Sequence, residues 1–218
     1  MALKLFEWGA KEQKPRPAVA QGTVIGNMDC LNQAKVLVRV PSLGQEVWAR
    51  LVAPGAGAKA GFFFTPRMGD EVLVALGDGY LSDAYIVGGL WNTQDSPPVT
   101  SPTDALTKRV LRTGLTQAAG HEMEFDDALQ SVTITTSTRQ KVTVTPDKIE
   151  LANTLGTLRI TLDNLTQTVT VQGVNVEISA VAQLKLSAAN ITIDGKVMTD
   201  VKSTGLCAIK GSAVTINS

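Results

Sequence analysis

The chain has 218 residues, 44% of them hydrophobic, and its 20 Lys and Arg residues equal its 20 Asp and Glu residues. The signs also balance ten to ten in residues 1–108 and again in 109–218, so neither half is strongly basic, as a partner of nucleic acid or an anionic membrane surface would be. No apolar run is long enough to span a bilayer as a helix, and the charged start differs from a signal peptide. Cys30 and Cys207 lie far apart and are expected to be reduced thiols in a cytosol, with a disulfide as the alternative.

The first 92 residues predict an extended arm followed by a small β-barrel. Residues 1–20 contain Pro15 and Pro17 and are expected to form an N-terminal arm. Residues 21–92 contain five short runs of strand-forming residues separated by Gly, Pro, Asn and Asp. These runs are QGTVIGN, KVLVRV, EVWARLV, DEVLVAL and AYIVGGLW. Five strands in a segment of this length fit the partly open Greek-key barrel known as the OB fold.

Aromatic residues are concentrated in the first part of the chain, since nine of the ten precede residue 92 and seven of these lie in the predicted barrel. Trp48 and the run Phe62–Phe64 are expected to fill the barrel core. OB folds often stack nucleic-acid bases on exposed aromatic side chains. An OB-fold nucleic-acid-binding protein with an oligomerising β tail is therefore the alternative. A salt-dependent oligonucleotide-binding test would distinguish it, and the neutral charge argues against it.

The second part of the chain predicts a long array of short strands. Residues 93–108 are rich in Pro and small polar residues and are expected to link the barrel to residues 109–218. From residue 131 onward, apolar and polar side chains alternate in eight runs, each with one apolar face. These runs are SVTIT, KVTVT, KIEL, TLRITL, TVTVQ, NVEIS, QLKLS and NITID. No aromatic residue follows Phe125, whereas a β-sandwich core usually contains larger side chains.

Three copies of the chain could cover one another's apolar faces and leave few open strand edges. We therefore expect an all-β fold, an N-terminal OB-fold barrel followed by an intertwined trimeric β-helix shaft, in which folding and trimer formation occur together. Eight strands per chain over three faces give about eight layers, or a shaft of roughly 40 Å. The side chains expected in the trimer core are Val142, Val144, Leu158, Ile160, Leu162, Val169, Val171, Val176, Ile178, Leu184, Leu186, Ile191 and Ile193.

Residues 48–92, which run from WARLV to GGLWN, resemble the OB domain of contractile-tail spike proteins. Residues 120–127, GHEMEFDD, resemble the segment with which these spikes leave the OB domain for the shaft. The family is that of phage baseplate assembly protein V, together with the related valine-glycine-repeat spikes of type VI secretion. Cys30 departs from the family pattern, in which a proline is expected at this turn. The shared positions are Trp48, Arg50, Pro54, Gly57, Gly61, Pro66, the run GDEVLV (69–74), Gly77, Asp78, Val87, Gly88 and Asn92.

The sequence contains little that suggests catalysis. His121 is the single histidine, no GxSxG motif occurs, and neither cysteine has a nearby candidate partner. His121 is expected to form a turn or interface hydrogen bond. Glu122, Glu124 and Asp126 alternate on one face of a strand, which favours a solvated strand face over a metal site. GAGAKAG (55–61) lacks the spacing of a phosphate-binding loop and is interpreted as a flexible loop. We expect a protein that is not an enzyme and binds no cofactor or metal.

The resemblance implies a structural central spike of a contractile injection device, a phage tail or tailocin baseplate, that pierces the target cell envelope on sheath contraction. It implies a baseplate hub protein as the partner on the N-terminal side. Some family members hold iron at the tip with a His-x-His pair, which this chain lacks. Its apolar end, Ala213, Val214 and Ile216, is therefore expected to contact a PAAR-type cap, a separate protein with proline-alanine-alanine-arginine repeats. A protein of this kind is made in the bacterial cytoplasm and assembled into a virion tail or phage-tail-like particle. A carbohydrate-binding fibre or depolymerase is disfavoured, because the predicted shaft has no aromatic residue past Phe125.

Overall fold

The computed structural model describes residues 18–26, 33–114 and 119–216. The chain divides into two compact units, the first ending at Val174 and the second beginning at Asn175. The first unit opens with seven strands. They are β1 (Val19–Gly26), β2 (Lys35–Val40), β3 (Gln45–Leu51), β4 (Ala56–Gly57), β5 (Ala60–Gly61), β6 (Glu71–Leu76) and β7 (Ala84–Gly89). Short 3-10 helices span Pro41–Leu43, Gly77–Gly79 and Leu81–Asp83.

Five of these strands close into a barrel with the order β1-β2-β3-β7-β6. They coincide with the five runs that the sequence predicted, and the predicted barrel is therefore confirmed. β3 and β7 are parallel, while every other barrel pair is antiparallel. Strands β4 and β5 form a small hairpin between β3 and β6. The segment interpreted as a loop at 55–61 contains this hairpin, with Lys59 in the left-handed region at its turn.

The barrel interior is filled by small and branched aliphatic side chains. Val, Ala, Ile and Leu alternate along the strands with residues that face outward. Gly22 of β1 is required by this packing, because a Cβ atom at this position would collide with the Val38 side chain. The buried members are Ala20, Val24, Val36, Val38, Val40, Val47, Ala49, Val72, Val74, Leu76, Ala84 and Ile86.

The aromatic residues do not form the core, and this expectation was wrong. Trp48 is 42% exposed and lies on the outer face of β3, while Phe63 is 75% exposed. Phe62 and Phe64 stack on each other with ring centroids 6.1 Å apart, also at the surface. The inward positions of five short strands are already occupied by aliphatic side chains, which leaves no interior volume for larger rings.

A meander of seven antiparallel strands follows the barrel. Helix α1 (Pro102–Thr107) begins after Ser101, whose side chain accepts a hydrogen bond from the backbone N–H of Asp104. Both α1 and the first residue of the next strand lie in the segment 93–108, which was expected to be a linker. The seven strands pair in chain order to form one sheet. They are β8 (Lys108–Arg112), β9 (Glu122–Asp126), β10 (Ser131–Thr135), β11 (Lys141–Val144), β12 (Lys148–Ala152), β13 (Arg159–Asp163) and β14 (Thr168–Gln172).

The second unit has no helix or strand within residues 175–216. Every residue of this range is exposed to solvent. The three strands predicted at NVEIS, QLKLS and NITID are therefore not confirmed in the single chain. A β-strand is held by the N–H and C=O groups of a neighbouring strand, and the single chain supplies no such neighbour to the described residues of this unit.

Candidate functional site

The candidate site is an extended apolar surface on one side of the seven-stranded sheet, here called the apolar face. Cross-strand register aligns its side chains in two rows that cross all seven strands. The first row contains Leu111, Met123, Ile134, Val142, Leu151, Ile160 and Val171. The second contains Arg109, Phe125, Val132, Val144, Ile149, Leu162 and Val169. Residues two apart on a strand point to the same face of the sheet. The alternation of apolar residues in the sequence and the cross-strand pairing in the structure therefore identify the same surface.

The apolar face is uncovered in the single chain. None of its side chains is buried, and among its exposed hydrophobic members the exposed fraction ranges from 37% at Ile149 to 71% at Val169. Contiguous apolar surfaces of several hundred Å² are rare on soluble monomers and mark interaction sites. The arrangement is therefore suited to association with another surface.

The opposite face is polar and is held together by cross-strand ion pairs. Arg112 lies 3.7 Å from Glu122, and Lys108 lies 3.6 Å from Glu124 and 3.8 Å from Asp126. The three acidic residues therefore share one face, as predicted. Asp126 is nevertheless only 5% exposed, so the expectation of a solvated carboxylate was wrong at this position.

A second polar cluster lies further along the same face. The Glu150 carboxylate is 3.2 Å from Lys148 and 3.8 Å from Arg159. Among the described residues, no group of three or more His, Cys, Asp or Glu side chains is arranged to hold a metal ion. The acidic side chains of the sheet thus contribute to cross-strand pairing.

Two hairpins of the sheet share one turn geometry, and this geometry fixes the register. The β9–β10 and β13–β14 turns each begin with an aspartate, Asp126 or Asp163, whose carboxylate accepts the backbone N–H three residues later. Each turn ends with a glutamine in the left-handed region, Gln130 at φ 51° and Gln167 at φ 54°. The hydrogen bond from the Thr166 N–H lowers the pKa of Asp163 below its usual value. A one-residue slip would move every apolar side chain to the polar face.

His121 directly precedes β9 and is exposed. The side-chain Nδ1 of His121 accepts a hydrogen bond from the Ser137 backbone N–H at 3.4 Å, and the His121 backbone N–H donates to the Thr113 hydroxyl at 3.2 Å. The predicted role as a turn hydrogen-bonding residue is therefore confirmed. Cys207 is a free, exposed thiol, whereas Cys30 lies outside the described residues. Within the described ranges, no helix is long and apolar enough to cross a membrane.

The residues predicted for a trimer core fall into two groups. Six lie on the apolar face, namely Val142, Val144, Ile160, Leu162, Val169 and Val171, and Leu158 directly precedes β13. The other six, Val176, Ile178, Leu184, Leu186, Ile191 and Ile193, lie in the second unit and are exposed without strand structure. The predicted tip residues are also exposed, Val214 by 55% and Ile216 by 78%.

The part of the apolar face that comes first in the chain was not predicted from the sequence. Leu111 belongs to β8, a strand that was not predicted, and Met123 and Phe125 were considered only as the reverse side of an acidic strand. The signal was present, because KRVLR (108–112) and EMEFD (122–126) both alternate at period two and pair residue by residue. The nearby prolines made the preceding segment resemble a linker.

Three comparisons bear on this architecture. Residues 20–91 match the model of a protein family described as the type VI secretion system/phage-baseplate injector OB domain. Over 137 residues the chain is 33% identical to Actin cross-linking toxin VgrG1 of Vibrio cholerae serotype O1 (strain ATCC 39541 / Classical Ogawa 395 / O395), covering 56% of this chain and 12% of that protein. Over 130 residues it is 33% identical to Type VI secretion system spike protein VgrG3 of Vibrio cholerae serotype O1 (strain ATCC 39315 / El Tor Inaba N16961), covering 54% of this chain and 12% of that protein. The alignments thus span a small fraction of these curated relatives.

Proposed function

We propose that this chain, whose residues 20–91 match the injector OB domain family, is a baseplate spike protein and forms the homotrimeric central spike of a contractile injection device. The observation that carries the proposal is the uncovered apolar face of the seven-stranded sheet. A surface whose two rows are apolar except for Arg109 at one end needs a cover, and a second and third copy of the same chain supply an equally shaped one.

In the proposed trimer, each chain contributes one side of a three-sided prism. The apolar rows point to the common axis, and the polar face, with its Lys108, Glu124 and Glu150 ion pairs, points to solvent. Side chains of similar size along both rows suit a channel of uniform width. Larger members, Met123 and Phe125, lie at the end of the sheet nearest β8 in chain order.

The second unit is proposed to continue this shaft. Its apolar residues recur at period two, as at Val176 and Ile178 or Leu184 and Leu186. Strand structure there would require hydrogen-bond partners from the neighbouring copies, so it would form only on assembly. Folding and trimer formation of this unit would therefore be one event.

The proposed role is mechanical. Sheath contraction would drive the spike into the target cell envelope, and an interlocked shaft would resist bending and unfolding because every strand is held by two neighbours and a shared core. We propose that the chain is not an enzyme. The proposed partners are a baseplate hub protein at the N-terminal side and a PAAR-type cap at Ala213, Val214 and Ile216. Synthesis in the bacterial cytoplasm and assembly into a virion tail or phage-tail-like particle complete the proposal.

The test compares particles assembled with the full chain and with a chain truncated after residue 130, which keeps the barrel and removes most of the sheet. The full chain should appear at the centre of the baseplate in electron micrographs, and its particles should permeabilise target cells. Truncated particles should lose permeabilisation. Equal permeabilisation by both particles would contradict the piercing role.

A further inference from the structure

A groove lies on the outside of the barrel, where β2, β3 and the start of β7 meet. It has a volume of about 460 Å³, which is within the range of about 300–1,000 Å³ typical of ligand sites. Its lining mixes cationic, aromatic and hydrogen-bonding side chains. These are Gln33, Lys35, Trp48, Arg50, Ser82, Asp83 and Ala84.

The groove contains two positive charges that no carboxylate of the described residues pairs with. Lys35 and Arg50 are direct cross-strand neighbours on β2 and β3, and like charges in this position destabilise a sheet. Neither forms an ion pair with a carboxylate of the described residues, whereas Arg39 pairs with Glu46 at 2.9 Å and Arg67 with Asp70 at 3.4 Å. The pair in the groove is therefore the place where an external anion would relieve repulsion.

The side chains of the groove are held in position before any ligand binds. The Arg50 guanidinium lies 5.7 Å from the centroid of the Tyr85 ring, and the Tyr85 hydroxyl donates a hydrogen bond to Asp83. This hydrogen bond raises the pKa of Tyr85, so the hydroxyl remains a donor. Trp48 is 42% exposed beside them and presents an aromatic surface next to the two cations.

The groove forms where the beginnings of β2 and β7 meet the end of β3. Lys35 pairs with Arg50, and Arg50 pairs with Tyr85 near the start of β7. On β2, Lys35 lies beyond Leu37, which pairs with Gly26 at the end of β1. The groove is therefore one continuous surface that three strands of the barrel share.

We infer that this groove binds an acidic side chain of a partner protein. The carboxylate would lie between Lys35 and Arg50, and the next residue of the partner would pack a flat side chain against the Trp48 ring. The groove carries two positive charges and the negative charge of Asp83, so one added carboxylate balances its charge. A nucleic-acid strand would need a longer basic track for its successive phosphates. The inference rests on the proposed function for the identity of the partner, a neighbouring protein of the baseplate.

The test uses fluorine NMR of the full-length protein labelled with 5-fluorotryptophan. The Trp48 resonance is identified as the one that is lost in the Trp48→Phe variant. Three probes are titrated: a blocked peptide with one glutamate flanked by prolines, its glutamine counterpart, and an eight-residue oligothymidylate. The glutamate peptide should shift the Trp48 resonance saturably and bind at least about tenfold more tightly than the glutamine peptide. Lys35→Gln combined with Arg50→Gln should weaken binding at least about tenfold. Arg39→Gln is the matched control, on the same strand face as Lys35, and should leave binding unchanged.

Equal binding of both peptides, equal loss in the Arg39 control, or no saturable shift would overturn the inference. Oligothymidylate binding that depends on Lys35 and Arg50 would replace the protein partner with a nucleic acid. The molar mass of the same sample is measured in parallel. Because the groove belongs to one barrel, a protein that is not trimeric but still binds the glutamate peptide would contradict the proposed function and leave the groove assignment intact.

Discussion

Replacing Ile160 or Thr161 by lysine separates the trimeric arrangement from a free sheet. The two residues are adjacent on β13 and point to opposite faces. Ile160 lies between Leu151 and Val171 on the apolar face, while Thr161 lies between Glu150 and Thr170 on the polar face. In the single chain Ile160 is the more exposed of the two, at 41%. A monomeric account therefore predicts that Ile160→Lys is harmless.

In the proposed trimer Ile160→Lys is severely destabilising. Complete burial of an isoleucine side chain contributes about 1.5–3 kcal/mol, so covering the exposed two-fifths contributes about 1 kcal/mol per copy. Enclosing an ammonium group without a partner adds several kcal/mol per copy. Three copies together lose about 10 kcal/mol or more, comparable with the whole stability of a typical domain. Thr161→Lys instead places its charge opposite Glu150, where an opposite-charge cross-strand pair is mildly favourable.

The assay is light scattering after size-exclusion chromatography, combined with circular dichroism of both variants. Thr161→Lys should remain assembled with the strand content of the parent protein. Ile160→Lys should give smaller or aggregated species. If both variants assemble normally, the apolar face is not the buried surface, and if both fail, the assigned register is wrong.

Three further results are expected. Val38→Ala should destabilise the barrel by about 2 kcal/mol because Val38 is fully buried, while Phe63→Ser should change the stability of the barrel by less than about 0.5 kcal/mol. Chemical denaturation of both variants checks this, and a larger loss for Phe63→Ser than for Val38→Ala would contradict the aliphatic core. Asp163→Asn should lower thermal stability at pH 7, and the difference should disappear as the pH falls below about 4. The Thr166 N–H holds the pKa of Asp163 low, so the stabilisation is present at neutral pH and is lost as the pH falls through the folded-state pKa. A pH-independent difference in melting temperature would rule out the carboxylate as the cause. Deleting residues 212–218 should leave the trimer intact and abolish pull-down of the cap protein, and equal capture by full-length and truncated protein would refute the tip assignment.

The period-two alternation was sufficient to predict the five barrel strands and the apolar face from residue 131 to residue 172, because strands expose alternate residues to alternate environments. The positions of the aromatic residues could not be predicted in this way. Trp48 follows the same alternation as its neighbours on β3. Alternation alone does not say which of the two sets of side chains points into the barrel, so the outward orientation of Trp48 could not be predicted. Phe63 lies between strands, where periodicity carries no information about burial.

The other differences have separate physical origins. Helix α1 and β8 follow a proline-rich stretch, in which Ser101 acts as an N-cap rather than as part of a linker. Residues 175–216 show the clearest limit, because alternation predicted strands there and the single chain has none; in the proposed trimer, neighbouring copies supply the hydrogen-bond partners. Side-chain pattern predicts a tendency to form strands, but the hydrogen bonds must come from a neighbour.

The molar mass of the full-length protein in solution tests the central claim most directly. Three copies of a 23.0 kDa chain give about 69 kDa, and the interlocked trimer should keep this mass on hundredfold dilution. A stable mass of one or two chains, with the apolar face still accessible to a hydrophobic dye, would contradict the proposal that three copies cover one another.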